Sequence, residues 1–277
     1  MAKIGFSLQS KYALPMNDVL HILKDLGLYA VSPVWTKDGA LDTLVNTAVG
    51  YGLTLQSLHS PFEGLTGMWS RDEDHWGNIR RNLLKSVDDC AACNIPVLVV
   101  HTWGGIDYTF RKEDLHFGNF DALVDRACAK GVKIAFEHLE APEYLEELMS
   151  RYQIPDVGFC WDSGHELCYT PQWDGLSKYG QRLIMTHLND NLGITDPSGK
   201  LQGTDDLHLI PYHGIADWEE TVQRLKAVRP QEVLNFELKI RPKGDRCTHD
   251  LYSKIPLEDY FAEAFHNAQK AVSDYFV

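Results

Sequence analysis

Ile95-Pro96-Val97-Leu98-Val99-Val100-His101 is the run that decides the fold. Val97-Leu98-Val99-Val100 is apolar at every position, so the strand it predicts is buried on both faces. A strand with one wet face would alternate. Helical patterns flank the run, over Asp74–Cys93 before it and Asn119–Lys130 after it, with apolar residues three or four apart. A doubly buried strand between two helices is one step of a parallel α/β sheet.

The same step recurs along the whole chain. Strands are predicted at Lys3–Gln9, Leu28–Val34, Leu53–Ser60, Val97–Thr102, Lys133–His138, Val157–Asp162, Leu183–Asn189 and Val233–Lys239. Helices are predicted near Asp18–Leu26, Leu41–Tyr51, Asp74–Cys93, Asn119–Lys130, Pro142–Tyr152, Trp173–Tyr179, Asp217–Val228 and Leu257–Tyr275. The seventh helix opens on Asp217, suited to an N-cap, and stops at Pro230. Eight strand–helix units in 277 residues predict an α/β fold, a single (β/α)8 TIM barrel over residues 1–277. No Gly-x-Gly-x-x-Gly follows the first strand and no GxxxxGK[ST] occurs, which removes the usual nucleotide-binding alternatives. In the last helix Tyr260, Phe261, Ala264, Phe265, Ala268 and Ala271 form one stripe. Core packing is the favoured reading of that stripe, and a homo-oligomer contact is the other.

Composition narrows the partners. Apolar residues at 44% and charged residues at 23% exclude a mainly disordered chain. A net charge of −13 argues against a nucleic-acid backbone as partner, and the carboxylate excess suits bound cations. No run reaches the ~18 apolar residues of a membrane helix. The start, Met1-Ala2-Lys3-Ile4-Gly5-Phe6, has no secretory apolar region. Six cysteines are too sparse for a disulfide scaffold, and Cys90-Ala-Ala-Cys93 lies in a helical pattern, as packed reduced thiols do. The expectation is a cytoplasmic protein that does not meet a membrane.

The strand ends carry the chemistry. His59, His101, Glu137, Asp162, His187 and Glu237 each close a strand or follow it directly, and His165, Asp206 and His208 lie in the loops beyond. One histidine at a strand end is usually a hydrogen-bonded neutral ring. The set resists that reading, because carboxylates buried side by side without cations are costly and protonate instead. Imidazole with carboxylate suits Zn, Mn, Fe or Co. In a barrel these positions converge on the C-terminal face, where the long loops Pro61–Glu73, Gly104–Phe117, Asn191–Ala216 and Ile240–Pro256 also gather.

The motifs His59-Ser-Pro, His101-Thr-Trp-Gly, Phe136-Glu137-His138, Asp162-Ser-Gly-His165, His187-Leu-Asn-Asp190, Asp206-Leu-His208 and Phe236-Glu237 occur in this order on successive strands. The chain thereby resembles the xylose-isomerase-like TIM barrels, a superfamily of sugar and sugar-phosphate isomerases and epimerases and of endonuclease IV-type AP endonucleases (AP endonuclease family 2). In the epimerase branch the resemblance implies one divalent metal on Glu137, Asp162, His187 and Glu237. Glu137 and Glu237 would be the catalytic pair, moving a proton through an enediolate. In the endonuclease branch it implies three zinc ions on all nine positions. The implied cofactor is thus a divalent metal, zinc or manganese, in one to three copies.

Departures from the endonuclease pattern favour a small sugar or sugar phosphate as substrate. Pro61-Phe62-Glu63-Gly64-Leu65 stands where a DNA-wedging segment would, and Arg71-Asp72-Glu73-Asp74 continues it with acid. His101-Thr102-Trp103-Gly104 replaces His-Pro-Gly. The epimerases commonly carry an Arg ahead of Pro-Gly after strand seven, where this chain has His208 and Pro211-Tyr212. Three readings follow: a metal-dependent isomerase or epimerase, a multi-zinc phosphoester hydrolase, and a non-catalytic metal- or sugar-binding protein. Trp103, Phe62, His165 and Lys239 are the candidate substrate contacts, with Arg241 beside Lys239 for a phosphate or carboxylate. Trp35, Trp69 and Trp161 lie near strand ends as further candidate walls. Asp190 and Glu166 are candidate acceptors for ligating imidazoles.

Overall fold

The computed structural model describes residues 3–276. Among the described residues nine parallel strands form two hydrogen-bonded sheets. β1 (Ile4–Ser7), β2 (Ala30–Ser32), β3 (Thr54–Leu55) and β9 (Leu234–Phe236) pair in the order β3-β2-β1-β9. β4 (Leu58–His59), β5 (Val97–His101), β6 (Lys133–Glu137), β7 (Val157–Asp162) and β8 (Leu183–His187) pair in sequence order. β3 and β4 are the two halves of the predicted third strand, one paired to β2 and the other to β5. Isolated bridges close both seams, Val34 to His59 and Leu188 to Phe236. At the second, the Leu188 amide donates to the Asn235 carbonyl (2.9 Å) and the Glu237 amide to the Leu188 carbonyl (3.0 Å). With β3 and β4 taken as one strand, this is a closed (β/α)8 barrel.

The helices are α1 (Met16–Asp25), α2 (Leu41–Gly50), α3 (Glu73–Ala92), α4 (Gly118–Lys130), α5 (Pro142–Arg151), α6 (Ser163–Cys168), α7 (Gly175–Tyr179), α8 (Trp218–Lys226) and α9 (Leu257–Ala271). Asp217 caps α8, accepting the Glu220 amide at 3.0 Å. Asp72 caps α3 by accepting the Asp74 amide, and Glu73 and Asp74 occupy its first turn. The acidic run of that loop thus complements a helix dipole. The helix predicted over Trp173–Tyr179 shrinks to α7, capped by Asp174. The stripe of α9 is buried throughout, and Phe261 packs on Tyr12. It covers the barrel flank. All six cysteines are unpaired, and Cys93 faces Asp42 rather than Cys90. Among the described residues no helix is long and apolar enough to cross a membrane.

Strand parity sorts the core and then places the site. Leu98, Val100, Ile134, Phe136, Phe159 and Trp161 point outward into the large core shared with the helices. Val97, Val99, Ala135, Cys160 and Met185 form a separate cluster that fills the lumen. The lumen is tight: a Cβ on Gly5 would stand 2.7 Å from Gln56 Oε1 and 3.1 Å from Asn235 Oδ1. Two residues above the lumen cluster, the same faces end in His101, Glu137, Asp162 and His187.

Candidate metal centre

Register brings these ends together. His101 pairs with Glu137 across β5 and β6, and Asp162 with His187 across β7 and β8. Glu137, Asp162 and His187 are fully buried at the head of the lumen. Nδ1 of His187 lies 2.9 Å from Glu137 Oε1 and 2.8 Å from Glu237 Oε2. One ring N–H cannot serve two carboxylates at full strength. Glu137 Oε2 and Asp162 Oδ2 are buried with no hydrogen-bond partner. Glu137, Asp162, His187 and Glu237 each offer one donor atom, all within 4.8 Å of one another. A carboxylate-rich set with one imidazole and orphaned oxygens fits a divalent ion.

Two flanks extend this centre. His59 Nε2 lies 3.0 Å from His101 Nε2, and these atoms stand 3.6 and 3.4 Å from Glu137 Oε2. On the other side His165 Nε2 and His208 Nε2 lie 3.5 and 2.8 Å from Asp206 Oδ1. In three of these rings the backbone fixes Nδ1 as the donor: His59 to the Ser60 carbonyl, His165 to the His138 carbonyl and His208 to the Glu237 carbonyl. Their Nε2 atoms are therefore left to face carboxylates, Glu137 for His59 and Asp206 for His165 and His208, an arrangement ligating histidines use. His208 has a left-handed backbone (φ 51°), which costs roughly 1 kcal/mol outside glycine. The Lys239 amide, donating to the His208 carbonyl at 2.9 Å, helps hold it there.

The electrostatics record the crowding. Burial raises the Glu137 carboxyl, but His187 and His101 outweigh it and hold it well below the usual range. Glu237 goes the same way, burial being overcome by His187 and His208. For Asp162 burial wins over His165 and the carboxyl moves up. Burial drives His101 down to about 4. His165 is raised to about 10, since Asp162 and Asp206 outweigh its desolvation. Without a cation His165 and His187 keep their protons, so cation uptake at these rings would release protons.

A cleft of about 740 Å³ opens over the centre. Trp103, stacked on Tyr144 with centroids 4.0 Å apart, and Phe62, stacked on His101 at 5.1 Å, form its aromatic wall. His165, Lys239 and Arg241 also line it. The other three candidate tryptophans do not line it. Trp35, Trp69 and Trp161 are buried and donate to Asp89, the Thr102 carbonyl and Glu166. Their strand-end positions face the helices instead.

Asp190 and Glu166 take other roles than the predicted one. Buried Asp190 accepts the backbone amides of Asn191, Tyr212 and Ala216 and so ties the loop after β8. Tyr212, at the position where the epimerase pattern has glycine, keeps a glycine-like φ of 70°. Glu166 pairs with Arg224 (2.6 Å) and Trp161 on the barrel's outer side. Neither touches an imidazole. Sequence reading missed Asn189, whose amide holds Asp162 Oδ1 at 3.0 Å. Asn189 follows His187 by two on the same strand face, so parity carried that signal. It also missed Lys243, paired with Asp206, and Glu140, which accepts the Gly105 amide. Both lie in loops, where no periodicity marks a direction.

The fold and these donors define a (β/α)8 barrel with a candidate metal centre at the head of its lumen. Residues 20–264 match the family described as xylose isomerase-like TIM barrel, and the chain belongs to that family. The "uncharacterized protein y4fM" of Sinorhizobium fredii (strain NBRC 101917 / NGR234) is 35% identical over 170 residues, 56% of this chain and 51% of that protein. The chain's match thus spans about half of that relative. Among solved structures, an IolI protein with a bound zinc atom superposes with a TM-score of 0.77 at 20% identity, covering 99% of each chain. A D-psicose 3-epimerase from Clostridium cellulolyticum H10, solved with D-tagatose, gives 0.68 at 14% identity over 99% of this chain and 98% of its own. At these identities the likeness is one of fold.

Proposed function

We propose that the chain is a metal-dependent isomerase or epimerase of a sugar or sugar derivative. The observation that carries this is Glu137 and Glu237 flanking one His187 nitrogen at 2.9 and 2.8 Å beneath an aromatic-walled cleft. The zinc of the IolI protein and the substrate of the psicose epimerase support it. Glu137, Asp162, His187 and Glu237 would hold the ion, zinc or manganese. When bound, it would polarise a substrate carbonyl and offset the charge of an enediolate.

Glu137 and Glu237 come from β6 and the end of β9, three strands apart around the barrel. One takes the proton from the carbon beside the carbonyl, and the other returns a proton to the enediolate. Trp103 and Phe62 lie against the C–H faces of the sugar and exclude water. His165 donates to, or accepts from, a substrate hydroxyl. The test is a panel of ketoses and their phosphates incubated with zinc- or manganese-loaded protein, with products separated by chromatography. A new epimer or aldose supports the reading, and an unchanged panel rejects it.

One observation favours a second reading, the multi-zinc phosphoester hydrolase. His59 and His101 turn Nε2 atoms toward Glu137 on one flank, and His165 and His208 turn theirs toward the Asp206 carboxylate on the other. Two or three zinc ions per chain, with cleavage of abasic-site DNA, would establish it in place of the first.

A further inference from the structure

We infer that Arg241 and Lys239 form an anion subsite at the mouth of the cleft, so that the substrate carries a terminal carboxylate or phosphate. This deepens the isomerase reading and rests on the same cleft. Lys239, Arg241 and Lys243 alternate along the segment that leaves β9, and all three line the cleft. They do so in a chain of net charge −13.

The carboxylates that share the cleft are already committed. Glu140 accepts the Gly105 amide, and Glu237 faces His187. Asp206 is paired with Lys243, with Lys239 3.9 Å away. Among the described residues Arg241 has no carboxylate within ion-pair distance, and its side chain is exposed toward solvent and the cleft. The local balance is thus a guanidinium left over beside a half-shared ammonium. A planar guanidinium with free N–H groups is suited to bidentate binding of carboxylate or phosphate. Lys239 stands two residues beyond Glu237, a chain distance of at most about 7 Å. A five- or six-carbon substrate with its carbonyl over the metal centre would place its far end in that range.

The test is a calorimetric titration of zinc-loaded protein with sorbitol, gluconate and sorbitol 6-phosphate, three probes of one carbon length. At least one anionic probe should bind at least about tenfold more tightly than sorbitol, with the preference weakening in salt, and the tighter one identifies the anion. In the Arg241→Gln/Lys239→Gln double variant that preference should collapse while metal content stays at the wild-type value. Equal affinity for all three probes overturns the inference. So does a preference that survives the double variant, because the anion would then sit on the metal. The readout needs no turnover. A retained anion preference in a protein that isomerises nothing removes the isomerase reading and leaves the subsite, and activity confined to neutral sugars does the reverse.

Discussion

His187 Nδ1 lies 2.8 Å from Glu237 Oε2, and the same nitrogen is 2.9 Å from Glu137 Oε1. The three groups come from β8, the end of β9 and β6, so barrel closure rather than local sequence creates the relationship. A divalent ion would satisfy both carboxylates and the orphaned Asp162 Oδ2 where one proton cannot. His187→Ala should therefore lower zinc or manganese affinity by more than the roughly 10- to 100-fold typical of outer-shell losses. Competition against a chromogenic chelator measures it, and unchanged affinity would remove His187 from the set.

Gly164 allows Asp162 to be held from the side. A Cβ there would come within 1.9 Å of Asn189 Oδ1, and Asn189 is the amide that orients Asp162. Gly164→Ala is expected to weaken metal binding about 10- to 100-fold with the fold retained. Calorimetric metal titration beside a thermal melt separates the two effects.

Trp103 tests the substrate wall. Trp103→Ala removes an aromatic face without touching a donor of the metal centre, so KM should rise about tenfold, or ~1.4 kcal/mol, with a smaller change in kcat. A fall in kcat with KM unchanged would place Trp103 outside substrate binding.

Far from the site, Asp121 accepts Arg151 Nε and Nη2, both at 2.7 Å, and the Tyr152 hydroxyl. The Arg151 guanidinium lowers its carboxyl. A carboxyl lowered in the fold stabilises fully above the unfolded carboxylate range, and that stability is lost as pH falls through the folded value. Both partners are more than a third exposed, so the pair is worth about 1 kcal/mol at neutral pH. Asp121→Asn should cost that much in urea denaturation at pH 7. The gap should close below pH ~4.

What the sequence discloses follows from periodicity. β5 to β8 are five or six residues long with inward positions two apart, so a His or acid at a strand end has a determined direction. That made Glu137, Asp162 and His187 legible. The third strand was not, because Gln56 and Ser57 hand the chain from one sheet to the other with no break in composition. Trp35, Trp69 and Trp161 misled for the converse reason, since proximity to a strand end does not say which face a ring takes. Asp190 and Lys243 depend on loops that return from a distance, and Glu166 on Arg224 brought in by α8; spacing along the chain carries no trace of those approaches.

The proposed reaction is proton transfer at a substrate carbon by Glu137 and Glu237. The measurement that reaches it most directly is solvent deuterium incorporation, read by mass spectrometry, into a panel of keto-sugars and keto-sugar phosphates held with metal-loaded protein in heavy water. The account predicts deuterium at the carbon beside the carbonyl, lost on chelation and reduced roughly 10²- to 10⁴-fold in Glu137→Gln and in Glu237→Gln at saturating metal. Exchange at the wild-type rate in either variant, or no exchange anywhere in the panel while a phosphodiester is cleaved, would contradict it.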